Sequence, residues 1–248
     1  MDMTIEFLSL ADCRLAYQRQ VGDKNRPGIL FLSGFASDME GVKASFLSKR
    51  AVERNWPFVR FDFRGCGKSS GEFAKATIGA WLEDTLAVFD KLTEGPQIVV
   101  GSSMGGWMGL LLAQARPTRV KAFIGVAAAP DFTENLVWAK LTPAEREKVR
   151  RTGVYYEKDE LPSRQAPITL GLIEEARRHL VLDKPLALPC PVRLLQGMKD
   201  TDVPWEYALR IIQHISSDDA RVTLVKGDHS LSTQRDLEML ERTIEEFL

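Results

Sequence analysis

Short apolar runs alternate with amphipathic stretches along most of this chain. Apolar or alternating runs predict strands at residues 4–8, 13–19, 28–32, 57–61, 97–100, 120–126, 192–196 and 221–225. Apolar positions at helical spacing predict helices at residues 42–55, 78–92, 104–116, 204–215 and 231–248. Repeated strand–helix–strand units indicate an α/β fold, a mostly parallel sheet with helices on both faces.

Residues 130–189 break this alternation. The pattern there predicts helices and no strand: Thr142-Pro143-Ala144-Glu145 has the spacing of a capping box at a helix start, and a second helix is expected at residues 171–182. Connections in compact domains are usually much shorter, and long ones are usually functional. We therefore expect residues 130–189 to form a helical lid inserted within a single domain that spans residues 1–248.

The composition narrows the class of protein. The chain has 248 residues, with 33 Lys plus Arg against 34 Asp plus Glu. It lacks the basic excess that nucleic-acid-binding proteins carry, and no apolar run approaches the roughly 20 residues of a transmembrane helix. The N-terminal residues show no secretory or transit-peptide pattern. We expect a soluble cytoplasmic protein that binds no nucleic acid and does not insert stably into a membrane.

Cysteine and histidine are scarce. The three Cys and three His are widely spaced, which is typical of neither a disulfide framework nor a zinc site. We therefore predict no metal and no organic cofactor. Cys66 lies between two glycines, where a small structural residue is a simpler interpretation than a redox sensor or a second nucleophile.

One motif indicates nucleophilic catalysis. Gly101-Ser102-Ser103-Met104-Gly105 has the G-x-S-x-G spacing of a nucleophile elbow, with an apolar strand before it and a helix after it. The spacing selects Ser103, because glycines must flank the strained turn that exposes the hydroxyl. The structural alternative is a glycine-rich turn that only packs a helix against the sheet.

A serine hydroxyl needs a base, and the base needs a carboxylate that orients it. His229 directly follows the last predicted strand, whereas the other two histidines, His179 and His214, fall within helical patterns. Asp200 follows the preceding strand and is the favoured carboxylate. The alternatives that the sequence leaves open are Asp202, Asp228 and Asp131.

The backbone supplies the remaining groups of the predicted site. An oxyanion needs two preorganised N–H donors, one of which follows the nucleophile and is the Met104 amide. The loop after the strand at residues 28–32 supplies the other, the Phe35 amide, because Gly34 lets the chain turn tightly there. Aromatic side chains are predicted to line a substrate pocket: Trp107, Trp138, Tyr155 and Tyr156.

These motifs resemble those of the α/β-hydrolase superfamily. The matching segments are Ser33-Gly34-Phe35, Asp62-Phe63-Arg64-Gly65-Cys66-Gly67-Lys68-Ser69, Gly101-Ser102-Ser103-Met104-Gly105-Gly106 and Gly227-Asp228-His229. Several segments are similar to the depalmitoylating, acyl-glucuronide-hydrolysing α/β-hydrolases of mitochondria: Gly101-Ser102-Ser103-Met104-Gly105-Gly106-Trp107, Ala115-Arg116-Pro117, Ile124-Gly125-Val126-Ala127, and Arg193-Leu194-Leu195-Gln196-Gly197-Met198-Lys199-Asp200 followed by Val203-Pro204-Trp205. The resemblance implies a triad of Ser103, Asp200 and His229. Ser33 departs from the superfamily, many of whose members carry histidine there.

The expected function is therefore that of a serine hydrolase with an acyl-enzyme intermediate. The resemblance implies a small or amphiphilic acyl substrate, an S-acylated protein among them, and favours thioesters and activated esters. A carboxylesterase or a carbon–carbon-bond hydrolase would use the same three residues. A non-catalytic ligand-binding module on the same fold is a third alternative, because fold does not fix function.

Overall fold

The computed structural model describes residues 4–156 and 166–248. Eight of its strands form one sheet in the order β1-β2-β4-β3-β5-β6-β9-β10. The two pairings of β2, with β1 and with β4, are antiparallel, and the other pairings are parallel. The strands are β1 (Glu6–Ser9), β2 (Arg14–Gln20), β3 (Gly28–Leu32), β4 (Phe58–Phe61), β5 (Gln97–Ser102), β6 (Val120–Val126), β9 (Val192–Gly197) and β10 (Ala220–Val225).

Helices cover both faces of the sheet. The helices are α1 (Val42–Arg54), α2 (Ile78–Leu92), α3 (Met104–Ala115), α4 (Pro143–Thr152), α5 (Leu170–Ala176), α6 (Glu206–His214) and α7 (Gln234–Glu245). α1 and α7 pack on one face, and α2, α3 and α6 belong to the apolar cluster on the other. None of the helices in the described part of the chain is long and apolar enough to cross a membrane.

The central strands show why an uninterrupted apolar run predicts them. Every residue of β3 is buried, with Leu30 and Leu32 in one core cluster and Ile29 and Phe31 in the other. A strand points successive side chains to opposite faces, so a strand that is covered on both faces needs apolar residues throughout. The polar groups of the site are therefore placed where these strands end.

The insertion between β6 and β9 differs in detail from the prediction. The capping box at Thr142 and Glu145 is present and begins α4. The second predicted helix is shorter than expected, because α5 is followed by a single 3₁₀ turn at Arg177–His179. The expectation of no strand is wrong: Val154–Tyr155 (β7) pairs with Ile168–Thr169 (β8). Strands of two residues are too short to leave a periodic signal. Part of the predicted lid, residues 157–165, lies outside the described residues.

Candidate active site

Ser103 occupies a sharp turn between β5 and α3. Its backbone has φ 53° and ψ −118°, a conformation that costs energy for a residue with a side chain. The flanking glycines permit the close approaches that this turn needs. A Cβ on Gly101 would lie 2.3 Å from the Gly105 carbonyl oxygen, and a Cβ on Gly105 would lie 2.1 Å from that of Leu32. The motif spacing thus follows from steric demands on both sides of the serine.

His229 faces Ser103 from the loop after β10. Its Nε2 lies 3.1 Å from the Ser103 Oγ, and its side chain is 27% exposed. Contacts of backbone amides help to hold this loop in place. The Leu231 amide donates to Asp228 Oδ1, and the Lys199 amide of the neighbouring loop donates to the Gly227 carbonyl. These contacts fix the imidazole at the carboxyl end of the sheet.

Asp200 holds the other nitrogen of the imidazole. His229 Nδ1 lies 2.8 Å from Asp200 Oδ2, and the carboxylate is fully buried. Burial raises the pKa of this carboxyl, but hydrogen bonds from His229 and from the Val203 and Asp202 amides outweigh burial, so the pKa lies below its ordinary value. An ionised Asp200 only accepts hydrogen bonds. It follows that Nδ1 carries the proton and that Nε2 accepts from the Ser103 hydroxyl.

Gln196 is a part of the site that the sequence analysis missed. Its side-chain amide donates to Asp200 Oδ2 at 2.9 Å and to the Val203 carbonyl at 3.0 Å, while the residue is 1% exposed. It thereby fixes the carboxylate relative to the end of β9. The available signal was a polar residue at the end of a predicted central strand, since a buried amide needs partners.

The alternatives to Asp200 have other partners. Asp131 is buried, and its carboxylate accepts the Val181 and Leu182 amides within the insertion. Asp228 caps its own loop, and Asp202 is exposed on the loop after Asp200. Among these four carboxylates, the structure brings Asp200 into contact with the imidazole.

The other two histidines are engaged elsewhere. His179 Nε2 lies 2.7 Å from Glu175 Oε1 in the insertion. His214 is the last residue of α6, and its Nδ1 lies 2.8 Å from the Arg210 carbonyl oxygen. Both contacts are local, between residues four positions apart.

One predicted oxyanion donor directly follows Ser103 in the chain, and the other lies in the loop after β3. Met104 is the first residue of α3, so its amide is one of those that a helix leaves without an intrahelical acceptor. Phe35 follows Gly34, where a Cβ would lie 3.4 Å from the Ser103 Cβ, and its amide has no acceptor among the described residues. The Ser33 hydroxyl donates to the Asp38 carbonyl and so stabilises this loop.

A surface cleft of about 200 Å³ opens beside Ser103 and His229. Polar side chains supply much of its remaining lining: Ser33, Ser37, Asp38, Lys43, Ser102 and Ser230. The four aromatic residues predicted for the pocket do not line this cleft. Trp107 is fully buried and donates to the His179 carbonyl, and Trp138 is 8% exposed in the same core cluster. Both tryptophans pack in the core, and their assignment to a substrate pocket stays a prediction.

Tyr155 and Tyr156 lie beside the segment that the structure does not describe. Tyr155 belongs to β7 and packs partly buried against the core, whereas Tyr156 is 46% exposed. Their assignment to a substrate pocket stays a prediction.

One cluster of potential metal ligands coincides with the site. The ligand atoms of Asp200, Asp202 and His229 lie within 4.8 Å of one another. The Asp200 carboxylate, however, already accepts from the Asp202 and Val203 amides on one oxygen and from Gln196 and His229 on the other. Those bonds use the lone pairs that a cation would need. The arrangement is suited to orienting an imidazole.

Comparison with known proteins identifies the family. The family model described as the alpha/beta hydrolase fold matches residues 27–158. The chain belongs to the α/β-hydrolase family. This hydrolase is 39% identical over 253 aligned residues to the mouse protein named "Palmitoyl-protein thioesterase ABHD10, mitochondrial". The aligned region covers 99% of this chain and 82% of the mouse protein. The human protein of the same name is 36% identical over 252 residues, covering 99% of this chain and 80% of the relative.

Solved structures agree with this membership. The structure of alpha/beta hydrolase domain-containing protein 10 from mouse superposes with a TM-score of 0.89 at 38% identity, covering 98% of this chain and 97% of the other. A protein from Agrobacterium vitis S4 superposes with a TM-score of 0.94 at 34% identity, covering 100% and 99% of the two chains. The predicted α/β-hydrolase fold and the prediction that the chain is an enzyme are confirmed.

Proposed function

We propose that this hydrolase cleaves acyl thioesters through an acyl-enzyme intermediate on Ser103. The observation that carries the proposal is the imidazole of His229, which bridges the Ser103 hydroxyl at 3.1 Å and the buried Asp200 carboxylate at 2.8 Å. A serine hydroxyl becomes an effective nucleophile when an adjacent base removes its proton. The direction in which the Asp200 pKa shifts keeps this carboxylate ionised near neutral pH.

Acylation follows from this geometry. Ser103 Oγ attacks the acyl carbonyl while its proton passes to His229 Nε2. Asp200 stabilises the resulting imidazolium through its bond to Nδ1. The Phe35 and Met104 amides donate to the oxyanion that forms on the former carbonyl oxygen, and each such donor is typically worth about 3 kcal/mol. The bond from the acyl carbon to the leaving group then breaks, and the imidazolium protonates the departing thiolate or alkoxide.

Deacylation uses the same groups with water in place of Ser103. His229 Nε2 takes a proton from water, the hydroxide attacks the acyl carbonyl, and the Ser103 oxygen leaves with the proton that the imidazolium returns. The products are a free carboxylic acid and the regenerated serine. Every proton in the cycle passes through one nitrogen, and the four carboxylate contacts at Asp200 keep the other nitrogen fixed.

The choice of thioesters rests on the relatives. Proteins that are 36–39% identical over nearly the whole chain are named palmitoyl-protein thioesterases. We therefore propose amphiphilic acyl thioesters, S-acylated proteins among them, as the substrate class. A cytoplasmic location is proposed from sequence composition alone, whereas those relatives are named as mitochondrial.

A matched pair of serine variants tests the proposal. Hydrolysis of a medium-chain acyl thioester and of the corresponding oxygen ester is measured for wild type, Ser103→Ala and Ser102→Ala. Removal of a triad nucleophile can cost about 10⁶ in rate, so Ser103→Ala abolishes measurable turnover and Ser102→Ala retains it. Retained activity of Ser103→Ala contradicts the mechanism. Turnover of the oxygen ester without turnover of the thioester contradicts the substrate class.

A further inference from the structure

A lysine of α1 reaches into the cleft beside the catalytic histidine. The Lys43 ammonium donates to the carbonyl of Ser230, the residue that follows His229. Lys43, Ser103 and His229 all line the same cleft. Ser103 and His229 take part in the proposed acylation and deacylation steps, whereas Lys43 has no role in either step.

The ammonium has hydrogen-bonding capacity to spare. It carries three N–H donors, and within residues 4–156 and 166–248 the Ser230 carbonyl is its one acceptor. Asp228 and Asp236 attract its charge, but neither lines the cleft. Asp228 accepts the Leu231 amide in its loop, and Asp236 accepts the Thr233 amide at the start of α7. Burial lowers the pKa of Lys43, and the two carboxylates oppose burial. A partly desolvated cation of this kind gains from an anionic partner.

The chemistry of the reaction determines which part of the substrate meets Lys43. His229 must protonate the leaving group, so that group departs on the side of the imidazole. Lys43 contacts the residue next to His229 and therefore lies on this side. The polar lining supplied by Ser37, Asp38 and Ser230 suits a hydrated thiol or alcohol fragment better than an acyl chain.

We propose that Lys43 determines specificity for the leaving group and favours one with a carboxylate a few atoms from the scissile bond. This specificity rests on the proposed serine-hydrolase function and extends it from the acyl group to the thiol or alcohol that leaves. Asp38 also lines the cleft, and its carboxylate accepts the Glu40 amide. The carboxylate of the leaving group is therefore placed at the His229 end of the cleft, away from Asp38.

Two isosteric thioesters test the proposal. They share one acyl chain and differ in the thiol, which is 3-mercaptopropionate in one and 3-mercaptopropionamide in the other. The readout is the ratio of kcat/KM for the carboxylate over the amide substrate. We expect Lys43→Gln to lower this ratio about tenfold, as for a partly exposed charge-assisted hydrogen bond, and Lys43→Arg to restore most of it. Lys49→Gln, on the same helix with a side chain that is 77% exposed, leaves the ratio unchanged.

The outcomes separate the possible failures. Equal ratios in wild type and Lys43→Gln overturn the proposal. If Lys43→Gln lowers kcat/KM for both thioesters equally, the ratio is unchanged and the lysine only stabilises the loop at Ser230. Failure of wild type to hydrolyse either thioester contradicts the proposed function. In that case, the role of Lys43 is tested by the rates at which two phosphonates with the same pair of leaving groups label Ser103. A carboxylate-to-amide ratio of labelling rates that is lower in Lys43→Gln than in wild type supports the proposal. An unchanged ratio, or no labelling at all, overturns it.

Discussion

The strain at Ser103 and the fixed imidazole of His229 serve one purpose at the scale of single residues. The positive φ turns the hydroxyl out of the sheet toward a base that arrives from another loop. A strained residue persists when its surroundings over-determine it. Here the close backbone approaches at Gly101 and Gly105 hold Ser103 in its strained conformation, so the position of its Oγ comes at some cost in stability.

Substitution of the carboxylate tests its assignment. Asp200→Asn replaces a carboxylate with an amide that can donate to Nδ1 of His229. The imidazole then carries its proton on Nε2 and cannot accept the proton of Ser103, so we expect kcat to fall by on the order of 10⁴. Asp202→Asn changes an exposed neighbour and retains activity within a few-fold. Steady-state hydrolysis of a thioester measures both variants. A loss confined to Asp202→Asn contradicts the assignment.

The close packing of the glycine at position 105 predicts that an alanine there destabilises the protein. Gly105→Ala places a Cβ 2.1 Å from the Leu32 carbonyl oxygen, so the start of α3 must shift away from β3. We expect the variant to lose about 3 kcal/mol of stability, a severe value for one methyl group, and to lose turnover as well. Gly171→Ala is the control, because its Cβ meets no closer atom than the Thr169 hydroxyl at 4.0 Å. Chemical denaturation of both variants provides the measurement, and equal stabilities contradict the steric explanation.

Single residues also show where sequence reasoning stops. Ser103, Asp200 and His229 each follow a strand, so their meeting at one edge of the sheet is predictable from the order of elements. Lys43 projects from a helix into the cleft, and its contact with Ser230 spans 187 positions, which no local pattern reports. The burial of Trp107 is likewise not visible locally, since the structure packs this large aromatic residue in the core close to the nucleophile in the chain.

At the scale of elements, Asp131 joins the insertion to the sheet. It follows β6 with φ 57°, and its carboxylate accepts the amides of Val181 and Leu182 at the far end of the insertion. These bonds close a segment of about fifty residues into a loop with fixed ends. The insertion is thereby anchored independently of its own helices.

Loss of this anchor destabilises the protein. Asp131→Ala leaves two buried amides without acceptors, for which we expect a loss of about 3 kcal/mol in the free energy of unfolding. Asp131→Asn retains an acceptor oxygen and loses less, and Asp183→Ala changes an exposed carboxylate as a control. Urea denaturation checks the order of the three variants. Equal stability of Asp131→Ala and wild type contradicts the anchoring role.

Regular elements were predictable in proportion to their length. The long sheet strands and the helices on the two faces carry several turns or alternations, and their predicted limits agree with the structure within a few residues. Apart from the ten-residue α4, whose capping box predicts it, the described part of the insertion offers short pieces: a seven-residue helix, a π-helical turn at Thr133–Val137 and two-residue strands. Tertiary packing decides the shape of such pieces, so local periodicity predicts them poorly.

At the scale of the whole molecule, buried carboxyl groups affect stability in opposite directions. Burial raises the pKa of Asp62, Asp84 and Asp131, while the hydrogen bonds at Asp200 overcome burial and lower its pKa. A carboxyl whose folded pKa is lowered contributes stability above its unfolded pKa of about 4 and loses that contribution as pH falls through the folded value. The ionisation of the Asp200 carboxyl is thus also coupled to global folding.

A pH series isolates the contribution of Asp200. The difference in the free energy of unfolding between wild type and Asp200→Asn is expected to shrink as the pH falls below about 4, where the Asp200 carboxyl takes up a proton. Taking the difference cancels the contributions of the other buried carboxyl groups. Denaturation at each pH provides the values. A difference that grows as the pH falls below about 4 contradicts the lowered pKa of Asp200.

The most direct measurement is the site at which an active-site-directed fluorophosphonate binds covalently. Wild type, Ser103→Ala, Ser102→Ala and His229→Gln are incubated with the reagent, and mass spectrometry of their peptides locates the adduct. We predict one adduct on Ser103 in wild type and in Ser102→Ala, greatly slowed labelling in His229→Gln, and none in Ser103→Ala. An adduct on Ser102, or labelling whose rate is the same without His229, would contradict the proposal that this histidine activates Ser103.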